Sequence, residues 1–125
     1  MADGQRVILC IDDDPDIRLF MRTVLEANGY VMAEAATAEE GLRVYRETSP
    51  DAVIVDLMME EVDAGTSFVK ELRAMGNKAP VFMLSAVGDD LAMEADYSSL
   101  GLAGVFQKPV NPDHLLTVLN TKLGD

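Results

Sequence analysis

Only one cysteine, Cys10, occurs in this 125-residue chain. A lone cysteine excludes an internal disulfide. Its place inside the apolar run Val7-Ile8-Leu9-Cys10-Ile11 gives it the role of a small buried hydrophobe. No apolar stretch approaches the length of a membrane span. The opening Met1-Ala2-Asp3-Gly4-Gln5-Arg6 lacks the charged-then-apolar layout of a secretion signal. A cytoplasmic setting is therefore the default expectation. Positive charge is also scarce, with 10 Lys and Arg against 22 Asp and Glu, for a formal charge of −12. That balance keeps a protein soluble and repels phosphate. It disfavours direct contact with nucleic acid or an anionic membrane and suits divalent cations and basic protein partners.

What is present is a core and a concentrated acidic cluster. Apolar residues make up 49% of the chain, which argues against disorder, and the length fits one domain spanning 1–125. Asp12, Asp13 and Asp14 follow the first apolar run directly, and a second run, Ala52-Val53-Ile54-Val55, ends at Asp56. Two buried-type strands thus carry carboxylates to their carboxyl ends. A pair of like charges about 4 Å apart costs roughly 4 kcal/mol at an effective dielectric near 20. Stability alone would select against such a cluster, so it reads as a site for a cation and for cation-assisted chemistry.

Apolar runs alternate with amphipathic stretches along the whole chain. Strands are expected at Arg6–Ile11, Val31–Glu34, Ala52–Val55, Val81–Leu84 and Gly104–Gln107. The first helix should run from about Pro15 to Asn28, with Ile17, Phe20, Met21, Val24 and Leu25 on one face, Asp14 as cap and Gly29 as stop. A second opens on the capping-box pattern Thr37-Ala38-Glu39-Glu40 and ends near Thr48. A third covers about Gly65 to Met75, a less regular fourth about Asp89 to Leu100, and a fifth starts at Asn111-Pro112. Five βα units without linker or repeat imply an α/β fold, a parallel sheet with helices on both faces. The short second strand fits a sheet edge. Ligands of such sheets bind beyond the carboxyl ends of the strands. Asp12, Asp13 and Asp56 map to that rim, as do Ser85 after the fourth strand and Lys108-Pro109 after the fifth.

The ordered set Asp12-Asp13, Asp56, Ser85-Ala86 and Lys108-Pro109 closely resembles the receiver domain of two-component response regulators, over essentially the whole chain. The resemblance implies a flavodoxin-like (βα)5 domain with strand order 2-1-3-4-5. It implies that Mg²⁺ is held by Asp13 and Asp56 directly, by Asp12 mainly through water, and by the backbone carbonyl of Met58. It implies that Asp56 is the nucleophile that becomes an aspartyl phosphate, assisted by the Lys108 ammonium and the Ser85 hydroxyl. Such chemistry needs positioning and charge neutralisation more than proton transfer. The implied partners are a sensor histidine kinase or phosphotransfer protein upstream and an unidentified protein downstream, with the chain monomeric or a phosphorylation-dependent dimer. Because little sequence follows the fifth helix, output is expected through protein–protein contact or phosphorelay.

Simpler roles stand beside these. Asp14 reads as a helix cap, Ser85 could cap the fourth helix, Lys108 could be an ordinary surface lysine, and His114 reads as a solvated surface histidine. The chain also departs from the family pattern. Glu60 stands where many receivers have proline, Gly65 falls one place late, and Val110 replaces a common Phe. Val105 occupies the position of a switch Tyr or Phe, and strand alternation sends the neighbouring Phe106 to the opposite face. Met58 and Val87 offer no side chain to orient an attacking water, so self-dephosphorylation should be slow. A metal-dependent phosphohydrolase with an aspartate nucleophile is the enzymatic alternative; its usual acid–base Asp is absent at Met58. A receiver-like scaffold that binds partners without phosphorylation is a third reading, opposed by retention of all the site residues.

Overall fold

The computed structural model describes residues 5–56, 64–85 and 102–123. Five strands, β1 (Val7–Ile11), β2 (Val31–Ala35), β3 (Ala52–Asp56), β4 (Val81–Ser85) and β5 (Gly104–Gln107), form one parallel sheet in the order β2-β1-β3-β4-β5. The helices among the described residues are α1 (Pro15–Ala27), α2 (Ala38–Thr48), α3 (Ala64–Ala74) and α4 (Pro112–Leu123). The helix expected at Asp89 to Leu100 lies outside the described residues, and α4 is the helix expected to start at Asn111-Pro112. β2 is an edge strand, as its weak apolar pattern implied, and Val31 on it is exposed.

The apolar runs lack polar alternation because both faces of the sheet are covered. Every residue of the central β3 is buried. Leu9, Ile11, Val53, Val55 and Met83 point to one face, where Phe68, Val69 and Leu72 of α3 and Leu42 and Tyr45 of α2 pack. Ile8, Cys10, Ile54, Phe82, Leu84 and Phe106 point to the other, against Met21 and Leu25 of α1 and Leu115 and Leu119 of α4. Successive β5 residues split accordingly: Val105 packs with the first cluster and Phe106 with the second. Phe106 lies against Phe82, ring centroids 5.3 Å apart, and meets His114 edge-on at 5.6 Å. His114 is exposed, as expected, yet its ring covers the end of this aromatic pair.

Local signals fix the helix ends. Asp14 caps α1 by accepting from the Asp16 amide at 2.9 Å, and Gly29 follows the helix with φ +89°. Thr37 caps α2 by accepting from the Glu40 amide at 3.0 Å. Glu40 reaches back to the Ala36 amide, one residue before the cap, at 2.9 Å. Gly41 lets α2 approach the sheet: a Cβ there would lie 2.7 Å from Ile11 Cδ1.

Candidate functional site

The register of β1 and β3 brings the acidic residues together. Ile11 is paired with Val55, so the residues that follow, Asp12 and Asp56, lie abreast on neighbouring strands. Adjacent strands are about 4.8 Å apart. Carboxylate oxygens of Asp12, Asp13 and Asp56 accordingly lie within 4.8 Å of one another. Asp12 is 1% exposed and Asp56 3%, whereas Asp13 is exposed, so the cluster has two buried walls and one open side.

Lys108 follows β5, two strands from β3, and its four-carbon stem spans the gap. Its Nζ lies 3.1 Å from Asp56 Oδ1 and 3.4 Å from Asp12 Oδ2. Desolvation is the largest influence on this ammonium and lowers its pKa. The charges of Asp12 and Asp56 outweigh it and raise the pKa above the ordinary lysine value. Lys108 is therefore a fixed cation between two buried carboxylates, not a surface lysine.

Asp12 is held on every side. Its amide donates to the Ala35 carbonyl at 3.1 Å, and its Oδ1 accepts from the Asp14 amide at 2.9 Å. Its carbonyl accepts from the Arg18 guanidinium at 2.7 Å. Burial pushes its carboxyl pKa above the usual aspartate value; the Asp14 amide and Lys108 oppose that rise and the Asp13 charge adds to it. Oδ2 is fully buried, and among the described residues it has no hydrogen bond and faces the ammonium at 3.4 Å. An orphaned carboxylate oxygen beside two further carboxylates, with no nitrogen or sulfur ligand in the cluster among the described residues, fits a hard divalent cation.

The structure thus gathers Asp12, Asp13, Asp56 and Lys108 as the sequence led one to expect. Ser85 ends β4, and the backbone register sets it beside Gln107, one residue before Lys108; the role given to its hydroxyl lies outside the described residues. Met58, Glu60 and Val87 lie outside them too. Arg18 and Glu34 escaped notice in the sequence. Arg18 donates to Glu34 at 3.2 Å as well as to the Asp12 carbonyl. The available signal was a cation one turn into the helix that follows the acidic turn.

A parallel 2-1-3-4-5 sheet whose carboxyl rim carries three aspartates and a lysine defines a receiver-type signalling domain. The family model for the response regulator receiver domain matches residues 8–120, and the chain belongs to that family. It is the receiver domain of a two-component response regulator, a phosphoacceptor signalling module and not a conventional enzyme. The chain is 33% identical to the chemotaxis protein CheY of Bacillus subtilis over 117 residues, 93% of this chain and 96% of that protein. It is 40% identical over 79 residues to the transcriptional regulatory protein PrrA of Mycobacterium tuberculosis, covering 63% of this chain and about a third (34%) of that longer protein. A crystal structure of a CheY-like receiver domain protein from Methanospirillum hungatei superposes with a TM-score of 0.88 at 26% identity, over 97% of this chain and 95% of that one. The three aspartates are of the kind the family uses as a metal site, and the family implies histidine kinase partners. No helix among the described residues is long and apolar enough to cross a membrane.

Proposed function

We propose that Asp56 accepts a phosphoryl group from the phosphohistidine of a sensor kinase or phosphotransfer protein, and that the chain reports this state through altered affinity for a protein partner. The observation that carries the reading is the pairing of a buried Asp56 carboxylate with the Lys108 ammonium at 3.1 Å, inside a cluster of three carboxylates. An Asp56 oxygen attacks phosphorus, the phosphorus–nitrogen bond breaks, and its electron pair leaves with the imidazole. Lys108, already neutralising Asp56, supplies a point charge for a phosphoryl oxygen. The Ser85 hydroxyl serves as a donor to another. Asp13 and Asp56 would ligate Mg²⁺ directly and Asp12 would hold it through water, with the Met58 carbonyl completing the protein's share; a cation bound there would supply charge neutralisation for the transferring group.

Val105 stands in place of an aromatic residue, which makes rotamer switching at that position an unsuitable carrier of the signal. The proposed setting is the cytoplasm, with protein partners and no direct contact with nucleic acid or membrane. The test is incubation with Mg²⁺ and acetyl phosphate followed by intact-protein mass measurement. One phosphoryl group on the wild type and none on Asp56→Ala is expected. Some receivers do not use acetyl phosphate, so a phosphorylated histidine phosphotransfer domain serves as the second donor. No label from either donor would overturn the reading, as would equal labelling of Asp56→Ala.

A further inference from the structure

We infer that Arg18, braced by Glu34, is a positioning residue for the metal-ligating turn, a role that rests on the cation reading of the site proposed above. Asp13 is the exposed member of the triad, and among the described residues nothing hydrogen-bonds its carboxylate. Its placement depends on its backbone. The Asp12 carbonyl and the Asp13 amide belong to one rigid peptide plane. Arg18 grips the oxygen of that plane at 2.7 Å, and no other hydrogen bond to it is present among the described residues.

Arg18 is itself fixed. Its backbone amide bonds the Asp14 carbonyl at 3.1 Å in the first turn of α1, which sets the root of the side chain. Its Nε donates to Glu34 Oε1 at 3.2 Å, and the other Glu34 oxygen takes Arg22 at 3.1 Å. Glu34 precedes Ala35, whose carbonyl accepts the Asp12 amide. The turn is thus clamped from the end of β2 through both sides of Asp12: through the amide directly, and through the carbonyl by way of Glu34 and Arg18. A guanidinium suits this task because its planar fork serves two acceptors at once in fixed geometry.

The test measures the Mg²⁺ dissociation constant by isothermal titration calorimetry alongside Tm in EDTA. Residues that orient metal ligands typically change affinity tenfold or more when lost. Arg18→Met should weaken Mg²⁺ binding about tenfold, and Arg18→Lys should recover part of the loss. Acetyl phosphate labelling of Arg18→Met should slow at low Mg²⁺ and approach the wild-type rate at saturation. Arg43→Gln, which removes comparable surface pairs with Glu40 and Glu47 on α2, should leave Mg²⁺ affinity unchanged. An Arg18→Met protein of lower Tm but wild-type Mg²⁺ affinity would make Arg18 merely structural and overturn the inference. If Arg18→Met does not fold, Glu34→Gln decides: a severalfold weaker site supports the brace, and an unchanged one overturns it. A wild type that binds no Mg²⁺ overturns the cation reading and the inference together, whereas a normal wild type with unaffected variants sinks the inference alone.

Discussion

Removing the charge of Asp13 should make the metal-free protein more stable and less responsive to magnesium. The Asp13 carboxylate shares a space 4.8 Å across with those of Asp12 and Asp56, while the nearby ammonium is engaged by the other two. One pair of unit charges at that spacing repels by about 3.5 kcal/mol at an effective dielectric of 20, and by about 0.9 kcal/mol in bulk water. Asp13 is exposed, so its two repulsions are screened toward the second limit, and Asp13→Asn should gain about 1–3 kcal/mol. Urea or thermal unfolding in EDTA reads this directly, at about 5 °C in Tm per kcal/mol. Magnesium then narrows or reverses the difference. A ligand at 100 times its dissociation constant stabilises the wild type by about 2.7 kcal/mol, and the variant, short of one ligand, gains much less. Asp13→Asn no more stable than wild type in EDTA, or equally stabilised by Mg²⁺, would refute a frustrated site relieved by a cation.

Four further outcomes follow from other parts of the structure. Gly41→Ala should lower stability by about 1–2 kcal/mol in urea unfolding, because the added methyl would meet Ile11 Cδ1 at 2.7 Å and Phe68 Cε1 at 3.1 Å inside a packed core, outweighing the helix propensity of alanine. Cys10 should resist a thiol reagent until the protein unfolds, since burial pushes its thiol pKa far up; rapid reaction of the native protein would contradict the packing of β1. The Asp12 carboxyl, raised by burial, binds its proton more tightly folded than unfolded. Its contribution to stability is complete below the ordinary aspartate pKa and is lost as pH rises through the folded value. In EDTA, Asp12→Asn should therefore exceed the wild type in Tm at neutral pH, and the gap should close on acidification. With apolar Met58 two residues after the acceptor and apolar Val87 two residues after Ser85 in sequence, the phosphorylated protein should lose its label slowly in the absence of a phosphatase; a half-life of seconds would contradict this.

Much of the site was legible because parallel-sheet geometry turns sequence position into spatial position. An apolar run of five or so residues followed by an acid places that acid on the carboxyl rim, as the β1–Asp12 and β3–Asp56 junctions show. Strand alternation likewise separated Val105 from Phe106 correctly. The contacts that escaped reading are those made by side chains across long sequence separations. Tyr30 donates to Asn120, and Tyr45 donates to Asn77 at 2.7 Å; neither pair lies in a pattern with a period. Arg18 was hidden for a different reason. Its partner is a backbone carbonyl, which carries no residue identity, so the cation in the first turn of α1 was visible but its acceptor was not. The degree of burial of Asp12 was also unforeseen: an acid at a strand end can face solvent or turn inward, and here it turns inward toward Lys108.

In the proposed reaction Asp56 takes up phosphorus as an acyl phosphate. Borohydride reduces an acyl phosphate to an alcohol, which marks the modified side chain permanently for peptide mass mapping. After phosphorylation and reduction, homoserine is expected at position 56 and nowhere else; an unreduced Asp56 with the mark on another residue would contradict the proposed reaction.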